Sequence, residues 1–193
     1  MKTIFEQGEF SSYSRVNLNE SRSIISKKYP YDIHQTTIFI SHKHEDLEDL
    51  KGVLGFLQTT YNVKVYIDSK DPKMPKITSA ETALNIRERI RMCDKFILLA
   101  TNSAIESKWC NWELGYGDAQ KYKDHLALFP IKPKRTYDFA YKGSEYMAIY
   151  PYIFFEGIGT YVNGKYITRG YYVQTHEKGT SSIISLGEWL NRR

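Results

Sequence analysis

Trp109 and Glu113 are the residues whose types and spacing first suggest chemistry in this sequence. They stand four positions apart, and on a helix this spacing places an indole ring and a carboxylate on one face, one turn apart. Both lie in a predicted helix at 103–122, directly after an apolar run, KFILLAT, that ends at Thr101. A carboxylate beside a flat aromatic ring at the end of a central strand is suited to stabilising positive charge on a reacting carbon.

Each member of this pair also has a purely structural interpretation. A glutamate on a helix is most often a solvated surface residue, and a tryptophan is often a core residue. Core packing is a serious competitor for Trp109, because Trp112 and Tyr116 lie near the same face of the predicted helix. The pair therefore indicates a site only together with the elements that position it.

The elements around this pair alternate between strand and helix. Apolar and β-branched runs predict four strands, at 36–41, 63–68, 95–101 and 125–131, with helices between them. A fifth strand is predicted at 152–157, and the Asn163-Gly164 pair between alternating residues predicts a β-hairpin. The stretch 183–190 predicts a closing helix with Trp189 and Leu190 turned inward.

This alternation predicts an α/β fold, because strands joined by short helical connections are typical of a parallel sheet covered on both faces. We expect a flavodoxin-like, doubly wound parallel sheet of five strands in the order 2-1-3-4-5, with a C-terminal β-hairpin elaboration. In such a sheet ligands bind beyond the carboxyl ends of the strands, where the strand order reverses. The loop at 41–44 and the helix that carries Glu113 flank that point.

Length and composition indicate one globular domain. The chain has 193 residues, of which 41% are hydrophobic and 25% are charged. We divide it into an N-terminal extension at 1–34 and a domain at 35–193, in which 137–180 is a tyrosine-rich elaboration. The extension is expected to pack on the domain or to carry a short helix.

Charge and cysteine content narrow the function classes. The net charge of +5 favours anionic small molecules and is too weak to indicate nucleic acid. Cys93 and Cys110 have no metal or redox spacing, which predicts reduced thiols and a cytoplasmic protein. No signal peptide or membrane-spanning run is predicted. His42 and His44 have no third ligand at a suitable spacing, so no metal is predicted.

Several motifs follow one another in an order that is itself informative. FISHKHED is followed by VKVYID, a proline-containing loop, a helix, an apolar strand and then SKWCNWEL. The ordered set covers about residues 35–131 and resembles the TIR (Toll/interleukin-1 receptor) domain of the bacterial type. Stand-alone bacterial members of this family resemble the TIR subunit of Thoeris antiphage defence systems, which makes a cyclic ADP-ribose-type signal.

The resemblance implies an enzyme that cleaves NAD at the nicotinamide–ribose bond, with NAD as its substrate and no cofactor. Glu113 matches the catalytic glutamate of the family's W-x-x-x-E motif, and Trp109 matches the tryptophan of that motif, at the edge of the nicotinamide–ribose pocket. Four further positions match the family's substrate cleft: Ser41, His42, Lys43 and Asp68.

Two stretches depart from the family pattern. The BB loop at 69–77 carries Pro72, Pro75 and several lysines in place of the usual glycine, and the tyrosine-rich stretch after Ile131 is longer than the plain TIR ending. The resemblance also implies self-association of TIR domains and a separate effector protein that responds to the product, without nucleic-acid or membrane partners.

Cleavage of the nicotinamide–ribose bond of NAD requires few catalytic groups from the protein. Nicotinamide leaves without a general acid, because it is already cationic, and the transition state resembles an oxocarbenium ion that one ionised carboxylate can stabilise. Lys43 and the N-terminus of the helix that starts near Thr78 are candidate donors to the pyrophosphate. Attack by water gives ADP-ribose and attack from within the substrate gives a cyclic isomer, and both products remain open.

Two other functions also remain open. A non-catalytic TIR domain would serve in protein–protein assembly through its BB loop and helices. An enzyme resembling nucleoside deoxyribosyltransferases would share the fold and a nucleophilic carboxylate, and activity on nucleosides alone would distinguish it.

Overall fold

The computed structural model describes residues 2–14, 35–67, 80–121, 123–177 and 180–192. The strands in these ranges are β1 (Lys2–Thr3), β2 (Phe5–Glu6), β3 (Thr37–Ser41), β4 (Lys64–Tyr66), β5 (Lys95–Ala100), β6 (Leu126–Lys132), β7 (Tyr152–Glu156), β8 (Thr160–Val162), β9 (Lys165–Ile167), β10 (Gly170–Glu177) and β11 (Thr180–Ser185). The helices are α1 (Leu47–Tyr61), α2 (Ala80–Met92), α3 (Asn102–Ile105), α4 (Lys108–Lys121), α5 (Ser144–Ile149) and α6 (Leu186–Asn191).

Five parallel strands form the centre of the sheet. Their order, β4-β3-β5-β6-β7, is the predicted order 2-1-3-4-5, so the predicted fold class is confirmed. The chain passes from β3 outward to β4 and then returns to the other side of β3 with β5. The strand order therefore reverses between β3 and β5, and their carboxyl ends define the switch point of the sheet.

Antiparallel strands enlarge this sheet on the β7 side. β10 pairs with β7 and β11 pairs with β10, both antiparallel, while the short β1 also pairs with β7. The predicted hairpin is present as β8 and β9, and Asn163 and Gly164 have positive φ angles of 49° and 77° at its turn. The sheet is thus mixed, with a parallel centre and an antiparallel margin.

Side-chain alternation along the central strands builds two apolar layers. Ile38 and Ile40 of β3 face the layer that contains α1 and α6, whereas Phe39 faces the layer that contains α2 and α4. Successive side chains of a strand point to opposite faces, so a continuous apolar run such as β5 supplies both layers at once. This alternation also fixes the face on which the residue at the end of β3 lies.

The first residues of the chain are part of the sheet and of the α1 layer. Phe5, with no exposed surface, stacks on Phe129 of β6 at a ring-centroid distance of 4.7 Å. A 3-10 helix over Ser11–Tyr13 then crosses α1 so closely that a Cβ on Gly55 would stand 2.0 Å from the carbonyl oxygen of Tyr13. Glycine in α1 is what allows this close approach.

Two predicted helices are wrong in their bounds. The stretch 103–122 contains two helices, α3 and α4, and not one. In 183–190 the first three residues belong to β11, because β-branched Ile183 and Ile184 pair with β10, and α6 begins only at Leu186. The inward orientation predicted for Trp189 and Leu190 is confirmed, since they are 1% and 2% exposed.

The second predicted strand is shorter than expected, because pairing with β3 extends only over Lys64–Tyr66. The loop at 69–77 and the predicted helix cap at Thr78 lie outside the described residues. Among the helices that the structure describes, none combines the length and apolar character needed to cross a membrane.

Candidate active site

Ser41 and Glu113 meet at the switch point of the sheet. Ser41 is the last residue of β3, and its side chain lies on the same face as that of Phe39, two positions earlier, toward α4. Its hydroxyl donates a hydrogen bond to Oε2 of Glu113, across 72 positions of sequence. Both side chains are only 1% exposed, so a carboxylate is held at the carboxyl edge of the sheet away from bulk water.

Glu113 stands in the stripe of α4 that faces the sheet. Its neighbours in this stripe are Cys110, Leu114 and Gly117, which recur at helical spacing and are all buried. Gly117 lets the helix approach β5, because a Cβ there would stand 3.0 Å from the ring of Phe96. The structure thus excludes a solvent-facing helix glutamate. A buried carboxylate in a core position is costly, and such groups are concentrated at functional sites.

A short turn follows Ser41 and carries the next two predicted site residues. His42 is buried and Lys43 is half-buried. The carbonyl oxygen of Lys43 accepts a hydrogen bond of 2.9 Å from the backbone N–H of Asp46, which closes the turn before α1 begins. The turn therefore holds His42 and Lys43 directly beside the end of β3.

Asp46 connects this turn to the segment that follows β5. Its Oδ2 accepts a hydrogen bond of 2.6 Å from the hydroxyl of Thr101, and its carboxylate accepts bonds of 2.8 and 2.9 Å from the hydroxyl of Ser103. Asp46 and Thr101 are 6% and 1% exposed. The loops on the two sides of the switch point are thus joined by a buried polar network.

Local capping explains why the chain turns twice between β5 and Glu113. The hydroxyl of Thr101 accepts a hydrogen bond of 3.0 Å from the N–H of Ala104 and caps α3. The hydroxyl of Ser107 accepts one of 3.3 Å from the N–H of Cys110 at the start of α4. The side-chain amide of Asn111 donates to the carbonyl oxygen of Ile105, so a carbonyl at the end of α3 has a hydrogen-bond partner within the same segment. These bonds set the position from which α4 presents Glu113.

The aromatic rings of α4 form a face beside the site. Trp109 packs on Trp112 at a centroid distance of 4.8 Å, and Trp112 stacks on Tyr116 at 6.3 Å. The guanidinium of Arg87 in α2 lies 5.5 Å from the ring of Trp112 and 5.4 Å from that of Tyr116. Trp109 is half-buried, so it has both a packing partner and an accessible part.

The structure brings together some of the predicted site residues. Ser41 and Glu113 are in contact, His42 and Lys43 follow Ser41 in the turn, and Trp109 lies one helical turn before Glu113. Asp68 lies outside the described residues, so its predicted place in the cleft stays a prediction. No group of three His, Cys, Asp or Glu side chains in the described ranges is arranged to hold a metal ion.

Two features of the site are missing from the sequence-based prediction. One is the network of Asp46, Thr101 and Ser103, for which a Thr-x-Ser sequence directly after an apolar strand is the available signal. The other is Tyr141, whose phenol donates a 2.7 Å hydrogen bond to the carbonyl oxygen of Ala100 at the end of β5. Burial raises the pKa of the Tyr141 phenol, so it stays protonated and keeps this bond.

A second group of buried polar side chains lies at the amino edge of the same strands. Lys95, with no exposed surface, places Nζ 3.0 Å from Nδ1 of His125 and 4.9 Å from the centre of the Trp189 ring. Burial lowers the pKa of the Lys95 ammonium to about 8, although Asp124 and Asp94 act in the opposite direction. This group is at the opposite end of β5 from Thr101.

The fold and the site define a class of protein: a flavodoxin-like α/β domain with a buried glutamate at the switch point of its sheet. A family model described as TIR domain matches residues 38–157. A relative from Bacillus cereus (strain MSX-D12), named probable 3′ cyclic ADP-D-ribose synthase ThsB′, is 33% identical over 156 residues, which are 79% of this chain and 77% of the relative. The chain belongs to the TIR domain family.

Proposed function

We propose that the chain is an NAD-cleaving TIR enzyme, which releases nicotinamide and forms ADP-ribose or a cyclic ADP-ribose isomer as a signal in antiphage defence. The observation that carries the proposal is the buried Glu113, held by Ser41 at the switch point of the sheet. The name of the Bacillus cereus relative, a probable cyclic ADP-ribose synthase, supports the same reaction class.

The proposed reaction assigns a distinct task to three residues of the site, Glu113, Ser41 and Trp109. The bond between C1′ of the nicotinamide ribose and the ring nitrogen of nicotinamide breaks, and its electron pair leaves with neutral nicotinamide. Positive charge develops on C1′, where the carboxylate of Glu113 stabilises it; a single group of this kind contributes about 3 kcal/mol. The hydrogen bond from Ser41 fixes the direction in which the carboxylate points, and Trp109 supplies a flat wall for the nicotinamide ring.

The second half of the reaction decides the product. When water attacks C1′, it loses a proton and ADP-ribose is formed. When a hydroxyl of the adenosine ribose attacks instead, it loses its proton to a base and a cyclic isomer is formed, and we assign Glu113 as that base. The relative is named a probable 3′ cyclic ADP-D-ribose synthase, and this name supports the cyclic branch of the reaction.

Glu113→Gln tests this proposal. The amide keeps the size and one acceptor oxygen of the side chain but carries no charge, so nicotinamide release should fall by at least about a hundredfold. Purified wild-type and variant proteins are incubated with NAD, and the products are identified by mass spectrometry. Glu106→Gln is the matched control, because Glu106 lies on the exposed surface between α3 and α4.

The outcomes separate the candidate functions. Nicotinamide release that depends on Glu113 supports the enzyme, and the accompanying mass distinguishes the cyclic product from linear ADP-ribose. Equal release by wild type and Glu113→Gln contradicts the assignment of Glu113. No release, even at high protein concentration or with lysate of phage-infected cells, would instead favour the non-catalytic assembly function.

The proposal extends to compartment and partners. Cys93 and Cys110 are the two cysteines of the sequence and both are buried, and so low a cysteine content supports the reducing cytoplasm as the compartment. A diffusible product requires a separate effector protein that responds to it. Self-association of the TIR domain belongs to the same proposal, and measuring NAD cleavage per protomer over a range of protein concentrations tests it.

A further inference from the structure

Asp46 has an unusual set of partners for an acidic residue at the start of a helix. It stands immediately before α1, where an aspartate ordinarily caps the helix by accepting a hydrogen bond from a backbone N–H. In this protein its side chain makes no capping bond to α1. The carboxylate is directed across the switch point, and it accepts hydrogen bonds from Thr101 and Ser103.

The same residue is also tied to Lys43 through its backbone. The N–H of Asp46 donates to the carbonyl oxygen of Lys43, so the position of Asp46 sets the position of the turn that carries His42 and Lys43. At its other end this turn begins at Ser41, which is bonded to Glu113. The turn is therefore attached at both ends to the single segment, 101–113, that contains the catalytic candidate.

We propose that Asp46 is a positioning residue that sets the distance between the His42–Lys43 turn and Glu113, and thereby the affinity for the dinucleotide substrate. The inference rests on the proposed NAD cleavage. Hydrogen bonds to a carboxylate are short and strongly directional, and those donated by the hydroxyls of Thr101 and Ser103 hold two loops in one arrangement. The carboxylate of Asp46 is engaged by Thr101 and Ser103, so its assigned role is to position the turn and not to react.

Asp46 holds the α1 end of the turn, whereas Ser41 holds Glu113, so loss of the Asp46 bonds should affect KM and kcat differently. Loss of the Asp46 bonds frees the turn at its α1 end, while the bond from Ser41 still orients Glu113. The KM for NAD should therefore rise by about fivefold or more, whereas kcat should change by less than about twofold. The variants are Asp46→Asn, which removes the charge, and the milder Ser103→Ala, which removes one donor and leaves the cap of α3 in place.

Thr37→Val is the matched control. At the amino edge of the same strands, the hydroxyl of Thr37 donates a 2.8 Å hydrogen bond to Oδ2 of Asp94, and this pair spans 57 positions, as Ser103 and Asp46 do. The substitution removes a comparable bond far from the switch point. It should lower the midpoint of thermal unfolding and leave KM unchanged.

The outcomes distinguish this inference from the proposed function. A raised KM in Asp46→Asn and Ser103→Ala, with a normal KM in Thr37→Val, supports the positioning role. An unchanged KM in folded Ser103→Ala and Asp46→Asn overturns it, and so does an equal rise in Thr37→Val, which would indicate a general effect of stability. If wild-type protein releases no nicotinamide from NAD, the proposed function has failed and the positioning role fails with it.

Discussion

Ser41 is the residue on which the orientation of the catalytic candidate depends. Its hydroxyl lies at the end of β3 on the α4 side and donates to Glu113. A carboxylate without this donor would still be present, but its direction would no longer be fixed. The effect of orienting the Glu113 carboxylate can therefore be measured separately from the effect of its charge, by removing the Ser41 hydroxyl.

Ser41→Ala is expected to lower kcat for nicotinamide release by about tenfold, which corresponds to one charge-assisted hydrogen bond of about 1.4 kcal/mol. The measurement is steady-state NAD cleavage beside Ser185→Ala. Ser185 caps α6 in the opposite layer, where its hydroxyl accepts a 3.1 Å bond from the N–H of Glu188. That variant should lose stability without losing rate. A wild-type kcat in Ser41→Ala would show that the bond has no catalytic role.

At the scale of elements, the crossing of the N-terminal segment over α1 depends on glycine. A Cβ on Gly55 would meet the carbonyl group of Tyr13, whereas a Cβ on Gly115 in α4 would meet nothing within 4 Å. Both glycines lie in the interior of a helix, Gly55 in α1 and Gly115 in α4, so the local sequence does not distinguish them. They differ only in what packs against them.

Gly55→Ala and Gly115→Ala are therefore expected to change stability in opposite directions. Alanine favours a helix over glycine by about 1 kcal/mol, so Gly115→Ala should raise the free energy of unfolding by up to that amount. Gly55→Ala should lower it by about 1–3 kcal/mol, because residues 2–14 must move away from α1. Urea unfolding measures both, and limited proteolysis of the N-terminus detects the displacement. A stabilised Gly55→Ala protein would contradict the described crossing.

The elements also show where prediction from sequence succeeds. The five central strands are predicted because runs of apolar and β-branched residues end in polar residues, even where the strand itself is as short as β4. The break at Ser107 was missed, because a serine inside an apolar helical pattern reads as part of the helix until its hydroxyl is seen to cap a new one. β1 and β2 are two residues each, too short to carry a period.

The residues of the site likewise fall into those that the sequence predicts and those that only the structure shows. The spacing of Trp109 and Glu113 and the place of the 41–44 loop beside a strand end predict where the site lies, and the resemblance to TIR domains predicts the roles of Glu113 and Ser41. Asp46 was not predicted, because its bond to Thr101 joins residues 55 positions apart and depends on how two loops meet. Local sequence around Asp46 instead suggests an ordinary helix cap, so only the tertiary structure reveals its partners.

At the scale of the whole molecule, the buried Lys95 gives stability a dependence on pH. The folded protein holds Lys95 with a pKa of about 8, below the ordinary value of 10.5, so the unfolded chain binds more protons between these values. The free energy of unfolding should therefore rise as the pH increases through about 8. Besides Asp124 and Asp94, Arg192 and Lys121 contribute charge around this ammonium.

Lys95→Met is expected to remove this rise and to increase stability at pH 7, because the apolar side chain keeps its contact with Trp189 without the cost of a buried charge. Denaturant unfolding between pH 7 and 9 measures the effect. This range ends at the ordinary pKa of 9.0 for a cysteine, above which Cys93, whose pKa burial raises to about 12, acts in the opposite direction. Lys51→Met on the surface is the control, and an equal slope in both variants would contradict the assignment.

The pairing of β1 with β7 also has a consequence for the synthesis of the chain. Residues 2–3 are made long before their partners, residues 155–156, and Phe5 packs against a strand that ends at Lys132. At about 5–20 residues per second, a ribosome needs roughly 8 to 30 seconds to cover that interval. Phe5 has no partner in the sheet until β6 has been made, and residues 2–3 have none until β7 has been made. β1 and β2 therefore join the sheet late, although they are made before its central strands.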